Sequence, residues 1–215
     1  MKLYQSNLSP FTTRCRLVVY VKGAEDQVSF DAPPGGLSTD AYKKINPTGK
    51  VPALELDDGS VLPESEVIGE YLNDVLDGPS LMPADAKARA QVRLINRLLD
   101  IYLIGGLSPI FDELTSGTNN AEVIAEGVAK TNEALDLLEG AIGENYAVGD
   151  SLTLADGGAV PACFFVSAIL PFVGVAEPFA GRPKLAAYWA KMQADPMGSM
   201  LAGELGAALK ETMGG

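Results

Sequence analysis

The pattern of apolar residues in this 215-residue chain changes near residue 78, and this change constrains the fold more than any other feature. Before that point, short apolar runs alternate with helical stretches, whereas only helical patterns follow it. Asp57-Asp58-Gly59-Ser60 separates the last two apolar runs, and Asp-Gly is a strong signal for a hairpin turn. The order predicts a small mixed sheet, parallel in its first part and closed by a hairpin. The predicted strands are Leu3–Gln5, Val28–Asp31, Val51–Leu56 and Val61–Leu62, and the predicted helices are Phe11–Lys22, one around Thr39–Ile45, and Glu64–Leu76.

The rest of the chain predicts an all-helical unit. Gly78, Pro79 and Pro83 mark a linker, so we expect an α/β unit at residues 1–77 and an all-α unit at residues 86–215. Its predicted helices are Asp85–Asp112, Ala121–Gly140, Leu154–Leu170, Pro183–Ala194 and Met197–Lys210, with a capping box at Thr153 and Asp156. Two apolar stripes at helical spacing are expected to face a core. They are Val67, Ile68, Tyr71, Leu72 and Val75, and Leu94, Leu98, Ile101 and Ile104 or Gly105.

Charge and composition exclude several classes of function. The net charge is −12 and neither unit carries a basic block, which disfavours nucleic acid and anionic membrane as partners. The chain has no histidine, so the usual general base and the commonest zinc ligand are missing, and we expect no metal. Cys15 and Cys163 lie far apart without metal-ligand spacing. Two lone thiols and an N-terminus without a secretory segment predict a cytoplasmic protein.

One segment resembles a membrane span in composition. Residues 159–175 contain no charged side chain. The run is shorter than the roughly 20 residues that a span needs, and Pro161 and Pro171 interrupt it. A helix buried on all sides is therefore the preferred interpretation, with membrane insertion as the alternative.

Four stretches of the chain form a pattern that runs across both units. They are Ser9–Arg14; Asn46–Leu54 followed by Glu64–Leu72; Leu81–Asp85 with Arg89-Ala90 and Arg93; and Ser151–Asp156. Together, in this order and spacing, they resemble the soluble glutathione transferases, and serine in the first stretch is typical of the serine-type classes. The resemblance implies a thioredoxin-like N-terminal domain that binds glutathione, an all-helical C-terminal domain that lines the second-substrate site, and a homodimer.

The resemblance gives roles to the glutathione-binding residues. It implies a cis Val51-Pro52 bond that turns the Val51 backbone outward, so that its N–H and C=O can pair with the cysteinyl unit of glutathione as an added strand. Glu64 and Ser65 open a helix, where such residues also serve as caps. There Glu64 can meet the γ-glutamyl ammonium, and the Ser65 hydroxyl and N–H the carboxylate. Lys50, Lys43 or Lys44 is the candidate for binding the glycyl carboxylate of glutathione.

Ser9 has two interpretations. Ser9-Pro10 is a good helix N-cap pair, which explains both residues without any catalytic role. A hydroxyl donor at the positive end of a helix would also favour the glutathione thiolate, and no histidine is needed. We therefore predict Ser9 as the catalytic residue, with Thr12 or Thr13 as substitutes and Tyr4 as a weaker candidate.

Cysteine-type relatives carry their reactive thiol at the place of Ser9. Cys15 lies six residues further along the chain, so we expect it to be buried rather than catalytic. Mixed-disulfide chemistry is accordingly disfavoured.

The predicted function is that of a glutathione transferase acting on a small hydrophobic electrophile between the domains. Candidates for contacting the electrophile are Tyr102, Phe111 and Phe165, although aromatic residues at such spacing are usually core. The sequence leaves open conjugation, substitution and glutathione-dependent ether cleavage or isomerisation. The alternative is a non-catalytic glutathione-binding or interaction module, since fold does not fix function.

Overall fold

A computed structural model describes residues 1–143 and 145–213 of the chain. The first part contains a four-stranded mixed sheet in the order β2-β1-β3-β4, with β1 parallel to β2 and antiparallel to β3, and β4 antiparallel to β3. This confirms the predicted mixed sheet and its terminal hairpin. The elements are β1 Lys2–Tyr4, α1 Pro10–Lys22, β2 Ser29–Asp31, α2 Asp40–Lys43, β3 Ala53–Glu55, β4 Val61–Pro63 and α3 Ser65–Val75.

The second part is helical, as predicted, so the expected class of an α/β domain followed by an all-helical domain is confirmed. A π-helical turn at Leu99–Leu103 joins the first two helices into one continuous run. A short 3₁₀ turn, Leu170–Val173, follows the third long helix. The helices are α4 Ala86–Leu98, α5 Ile104–Ser116, α6 Ala121–Ala141, α7 Leu154–Ile169, α8 Pro183–Ala194 and α9 Pro196–Met213.

Helix α1 lies at the centre of the molecule and packs against α3 of its own domain and α7 of the helical domain. Its start is fixed locally, because the Ser9 Oγ accepts the Thr12 backbone N–H at 3.2 Å and Pro10 occupies the first turn. Its end is equally well defined, at Gly23 with φ of 59°. Leu17, Val18 and Val19 are buried in the core that both domains share.

Helix α7 carries the uncharged segment examined for membrane insertion. Two helical stretches, Ala86–Ser116 and Leu154–Val173, are long and apolar enough to span a membrane, and most of the second is buried inside the protein. The Asp156 carboxylate reaches back to the Thr153 backbone N–H at 2.8 Å, which is the capping interaction that the sequence predicted. Because most residues of α7 are buried, this helix forms part of the core of the helical domain.

The predicted core-facing stripes are partly wrong. In the helical domain Leu94 and Ile101 are about half exposed, while Val92, Ile95 and Leu99 are buried. The buried stripe thus lies one or two positions away from the predicted one, and the π-helical turn shifts the phase of the helix again. In α3, Val67 and Val75 are likewise exposed. These four apolar side chains form surface instead of core.

Candidate active site

Three chain segments meet at one edge of the sheet. Tyr4, the last residue of β1, pairs with Ala53, the first residue of β3, and Ala53 pairs in turn with Pro63 at the end of β4. The loop to Ser9, the Val51-Pro52 segment and the Glu64-Ser65 segment consequently leave the sheet on the same side. The register of three short strands therefore brings together residues that are more than 50 positions apart.

A cavity of about 430 Å³ opens beside this edge, and both domains line it. Five of the predicted site residues line it: Ser9, Lys50 and Val51 from the first domain, and Phe111 and Phe165 from the second. The wall is mostly apolar, with Leu8, Leu37, Ile104, Leu107 and Ile169 among its residues, and Ser108 and Asp112 add polar groups from α5.

The Ser9 hydroxyl is oriented by its role as a helix cap. Its Oγ accepts a hydrogen bond from the Thr12 N–H, so its own proton remains available to a partner in the cavity. Thr12 and Thr13, the substitute candidates, are fully buried and are not among the described residues that line the cavity. The Tyr4 hydroxyl donates to the Glu55 carboxylate at 2.6 Å, and this bond raises the pKa of Tyr4.

The segment before β3 presents free backbone groups. The Val51-Pro52 bond is cis, as the resemblance implied. The Lys50 carbonyl accepts from the Tyr42 hydroxyl and the Asn46 amide, both at 2.8 Å, which holds the segment in place. Neither the N–H nor the C=O of Val51 bonds to any residue that the structure describes. A strand-like ligand in the cavity can therefore pair with both groups.

Helix α3 begins in an unusual way. Glu64, in the N-cap position, has φ of 70° and ψ of 112° and makes no side-chain capping bond. A non-glycine residue in this region is strained, and such strain is concentrated at ligand-binding sites. Ser65 follows with 5% exposure. Pro52, Glu64 and Ser65 are not among the described residues that line the large cavity.

Arg14 contacts Ser65, and the sequence analysis gave it no role. Its side chain is buried, and its Nη1 donates to the Ser65 Oγ at 2.9 Å. Both terminal nitrogens also bind Asp100, at 2.9 and 2.6 Å, in a bidentate ion pair with the helical domain. The available signal was a pair of arginines, Arg14 and Arg16, inside an otherwise apolar stretch of α1.

Cys15 is buried, as predicted. Burial raises the pKa of its thiol to about 12, and Arg14 and Arg16 offset this only in part. Its Sγ donates to the Ser65 carbonyl oxygen at 3.6 Å. A neutral thiol with no exposed surface has no role as a nucleophile.

Tyr102 is not among the described residues that line the cavity. It is half exposed on the π-helical turn, while its neighbours Leu99 and Leu103 face the core. The lysines Lys43 and Lys44 are exposed and also lie outside the described lining. Sequence reasoning missed the aliphatic residues of the wall, because an apolar side chain that lines a cavity has the same spacing as one in the core.

Comparison with known proteins agrees with this arrangement. Residues 8–75 match the family model of the glutathione S-transferase N-terminal domain, and residues 87–196 match that of the C-terminal domain. The chain is 41% identical over 113 residues to Protein LigF of Sphingobium sp. SYK-6, covering 51% of this chain and 44% of LigF. It is 30% identical over 171 residues to maleylacetoacetate isomerase of Pseudomonas aeruginosa, covering 76% of this chain and 80% of the isomerase.

The fold agrees with the same assignment. A glutathione transferase family member of Pseudomonas fluorescens Pf-5, solved with bound glutathione, superposes with a TM-score of 0.77 at 25% identity. The superposition covers 93% of this chain and 97% of that protein. Because both domain models match in order and together cover most of the chain, the chain belongs to the glutathione S-transferase family and is a glutathione transferase.

Proposed function

We propose that Ser9 stabilises the thiolate of glutathione, which then attacks a small apolar electrophile in the cavity. The observation that carries this proposal is the hydrogen-bond state of the Ser9 hydroxyl. Its Oγ already accepts from the Thr12 N–H, so its remaining proton is a donor at the cavity wall. A thiol with a pKa of about 8.5 is mostly protonated at neutral pH, and such a donor lowers that pKa by binding the thiolate.

The Val51 backbone supports glutathione binding beside Ser9. Its N–H and C=O have no partner among the described residues, and together they match the donor and acceptor of the cysteinyl unit. Lys50 borders the same cavity and carries the positive charge that the glycyl carboxylate requires. Residues 1–77 are proposed as the glutathione-binding domain, and residues 86–215 as the domain that lines the second-substrate site.

The γ-glutamyl group is assigned to the start of α3. An arginine side chain can only donate, so the Ser65 Oγ must accept the Arg14 bond and keep its own proton for another acceptor. The uncapped N–H groups of α3 add donors at the same place. A carboxylate satisfies this set of donors, and the exposed Glu64 carboxylate beside them can bind the adjacent ammonium.

The electrophile is assigned to the apolar part of the cavity. Phe111 and Phe165 provide aromatic surface there, and Ser108 and Asp112 provide its polar groups. Addition, substitution, ether cleavage and isomerisation all begin with the same thiolate, and the isomerase relative illustrates the last of these. The thiolate sulfur forms a bond to the electrophilic carbon, and the leaving group or the neighbouring carbon takes up the displaced electron pair.

The ultraviolet absorbance of bound glutathione, followed against pH, tests the role of Ser9 without a known electrophile. We expect the thiol pKa in the wild-type complex to lie clearly below that of free glutathione, and Ser9→Ala to restore it towards the free value. Ser65→Ala is the matched control, because it should weaken binding without moving the thiol pKa. An unshifted pKa in the wild type would contradict the proposal.

We also propose a symmetric homodimer, which is the commonest closed arrangement of soluble oligomers. Val67 and Val75 on α3, with Leu94 and Ile101 in the helical domain, supply exposed apolar surface of the kind found at interfaces. Light scattering should give twice the mass of one chain, and a single-chain mass would contradict this.

Two free, buried cysteines support a cytoplasmic location, and an apolar cavity supports a detoxification role.

A further inference from the structure

We propose that Arg16 and Glu204 form a positioning pair that fixes the backbone carrying Ser9, so that the C-terminal helix controls the orientation of the catalytic hydroxyl. The inference rests on the proposed role of Ser9. Neither residue lines the cavity, and neither belongs to the subsites assigned above to glutathione or to the electrophile. They act through Ser9 and not on the substrate.

Arg16 holds the segment around Ser9 from two directions. Its guanidinium is buried in α1, and Nη2 donates to the Asn7 carbonyl oxygen at 3.2 Å, just before Ser9 in the chain. The same nitrogen donates to the Thr13 Oγ1 at 3.1 Å. The Thr13 hydroxyl in turn donates to the Ser9 carbonyl oxygen, also at 3.1 Å. One planar side chain therefore restrains the loop that enters α1 and the first turn that Ser9 caps.

Glu204 compensates the buried charge of Arg16. It lies on α9, and its Oε2 is 3.3 Å from the Arg16 Nη1. Its other oxygen accepts the Tyr20 hydroxyl proton at 2.9 Å, and Glu204 is thereby fixed against α1. Burial, followed by this hydrogen bond, raises the pKa of Tyr20 to about 12, so Tyr20 stays a donor. A segment almost 190 positions away in sequence thus supports the orientation of Arg16.

The arrangement explains why Thr13 is buried beside the site without lining it. Its only proton is already used, since its hydroxyl accepts from Arg16 and donates to the Ser9 carbonyl oxygen. The sequence analysis named Thr13 as a substitute catalytic residue, and the contacts assign it a positioning role instead. If the Arg16 fork moves, the Asn7 and Ser9 carbonyls lose their restraint together, and the Ser9 hydroxyl loses its direction towards the sulfur.

The test compares Glu204→Gln with wild type in the full-length protein. The amide keeps the shape of the side chain but removes the charge that holds Arg16. We expect the pKa of the bound glutathione thiol to rise towards the free value and kcat, measured with a general electrophile, to fall about tenfold, within the hundredfold that a misplacement of about 1 Å can cost. The KM for glutathione should change by less than about twofold, because the γ-glutamyl subsite is untouched.

Asp136→Asn is the matched control. Asp136 pairs with Arg182 at 2.7 Å, and Arg182 also donates to two backbone carbonyls, those of Pro178 and Asn132. This pair has the same chemistry as Arg16 and Glu204 but lies away from the cavity. The Asp136→Asn substitution should leave the thiol pKa of bound glutathione and kcat unchanged. Arg16→Lys is the second variant, because lysine keeps the charge and loses the fork, and it should reproduce the effect of Glu204→Gln.

A double-mutant cycle shows whether the pair acts through Ser9. In a Ser9→Ala background, Glu204→Gln should cause no further rise in the thiol pKa. Additive effects would overturn the positioning role, and so would an unchanged thiol pKa in the folded Glu204→Gln and Arg16→Lys proteins. Failure of the proposed function is a separate result, because it requires that Ser9→Ala alone leaves the thiol pKa unshifted.

Discussion

Helices α1 and α3 both begin at the same edge of the sheet with a serine, but their N-termini are completed in different ways. At α1, Ser9 caps its own helix through the Thr12 N–H, with an ordinary extended backbone at φ of −79°. At α3, Glu64 provides no side-chain cap and has φ of 70°, and the Ser65 hydroxyl is held by a buried arginine. The start of α1 is complete by itself, whereas that of α3 has donors left over for an anion.

Under the proposed function, this difference separates two tasks at this edge of the sheet. A self-capped serine offers a single proton, which suits a soft thiolate that must still react. An uncapped helix start whose serine accepts a hydrogen bond from Arg14 offers several donors, which suits a carboxylate that only has to stay bound. Ser9 should therefore affect mainly the reactivity of glutathione, and the start of α3 mainly its affinity.

The largest expected effect comes from Arg14→Met, which breaks the α3 side of the comparison. The substitution leaves the Asp100 carboxylate without its bidentate partner, and breaking a buried ion pair in this way typically lowers the free energy of unfolding by about 3–5 kcal/mol. Because the Asp100 side chain is 21% exposed, we expect the lower end of that range. Urea unfolding measures it.

Arg14→Met/Asp100→Leu is the control for this prediction. Removing both charges should recover a large part of the lost stability, because no uncompensated carboxylate remains. Glutathione affinity, measured by calorimetry, should stay low in the double variant, since the Ser65 hydroxyl has lost its donor. Full recovery of affinity would mean that Arg14 has no part in the γ-glutamyl subsite.

Glu64→Gly should produce a smaller effect with opposite signs for stability and binding. Glycine tolerates a positive φ, so relief of strain should exceed the entropic cost of the glycine and stabilise the protein by about 1 kcal/mol. Glutathione affinity should fall several-fold as the ammonium loses its carboxylate. Asn119→Gly, at φ of 51°, is the matched control. It should stabilise the protein less than Glu64→Gly does, because asparagine tolerates this conformation. Destabilisation by Glu64→Gly would remove the argument from strain.

The smallest effect separates the two roles of Ser9. Ser9→Ala should cost about 1 kcal/mol through the lost cap, whereas Ser9→Gly should cost only a few tenths. Both variants lack the hydroxyl, so both should raise the pKa of bound glutathione equally. Thermal unfolding and the absorbance titration, run on the same samples, give the two quantities. If the thiol pKa rose more in Ser9→Ala than in Ser9→Gly, in proportion to the loss of stability, Ser9 would act only as a helix cap.

Much of the fold was predictable, because its signals are local. Asp58-Gly59 indicated the hairpin between β3 and β4, and Ser9 and Gly23 marked the ends of α1. The Val51-Pro52 and Glu64-Ser65 segments were found through motif resemblance, and their roles remain predictions. Periodicity failed where a helix had two apolar faces, as with Leu94 and Ile101. One side of such a helix meets the core and the other side meets solvent or a partner, and spacing alone does not tell them apart.

The contribution of α1 could not be predicted for a different reason. Arg14 and Arg16 lie two positions apart, on different faces of a helix whose apolar residues already explained its burial. Their partners Asp100 and Glu204 lie 86 and 188 positions further along the chain. Only the docking of the helical domain on α1 brings these charges together, and no local pattern encodes that docking.

The wall of the large cavity is divided between the domains, and this division bears on how such a protein diversifies. In the proposed complex, the glutathione side depends on backbone groups and on a few polar residues next to the sheet. The opposite side consists mostly of apolar side chains on α5 and α7, including Phe111 and Phe165. We expect substitutions there to change which electrophile is accepted while leaving the reacting thiolate in place, so that new substrates are acquired without rebuilding the chemistry.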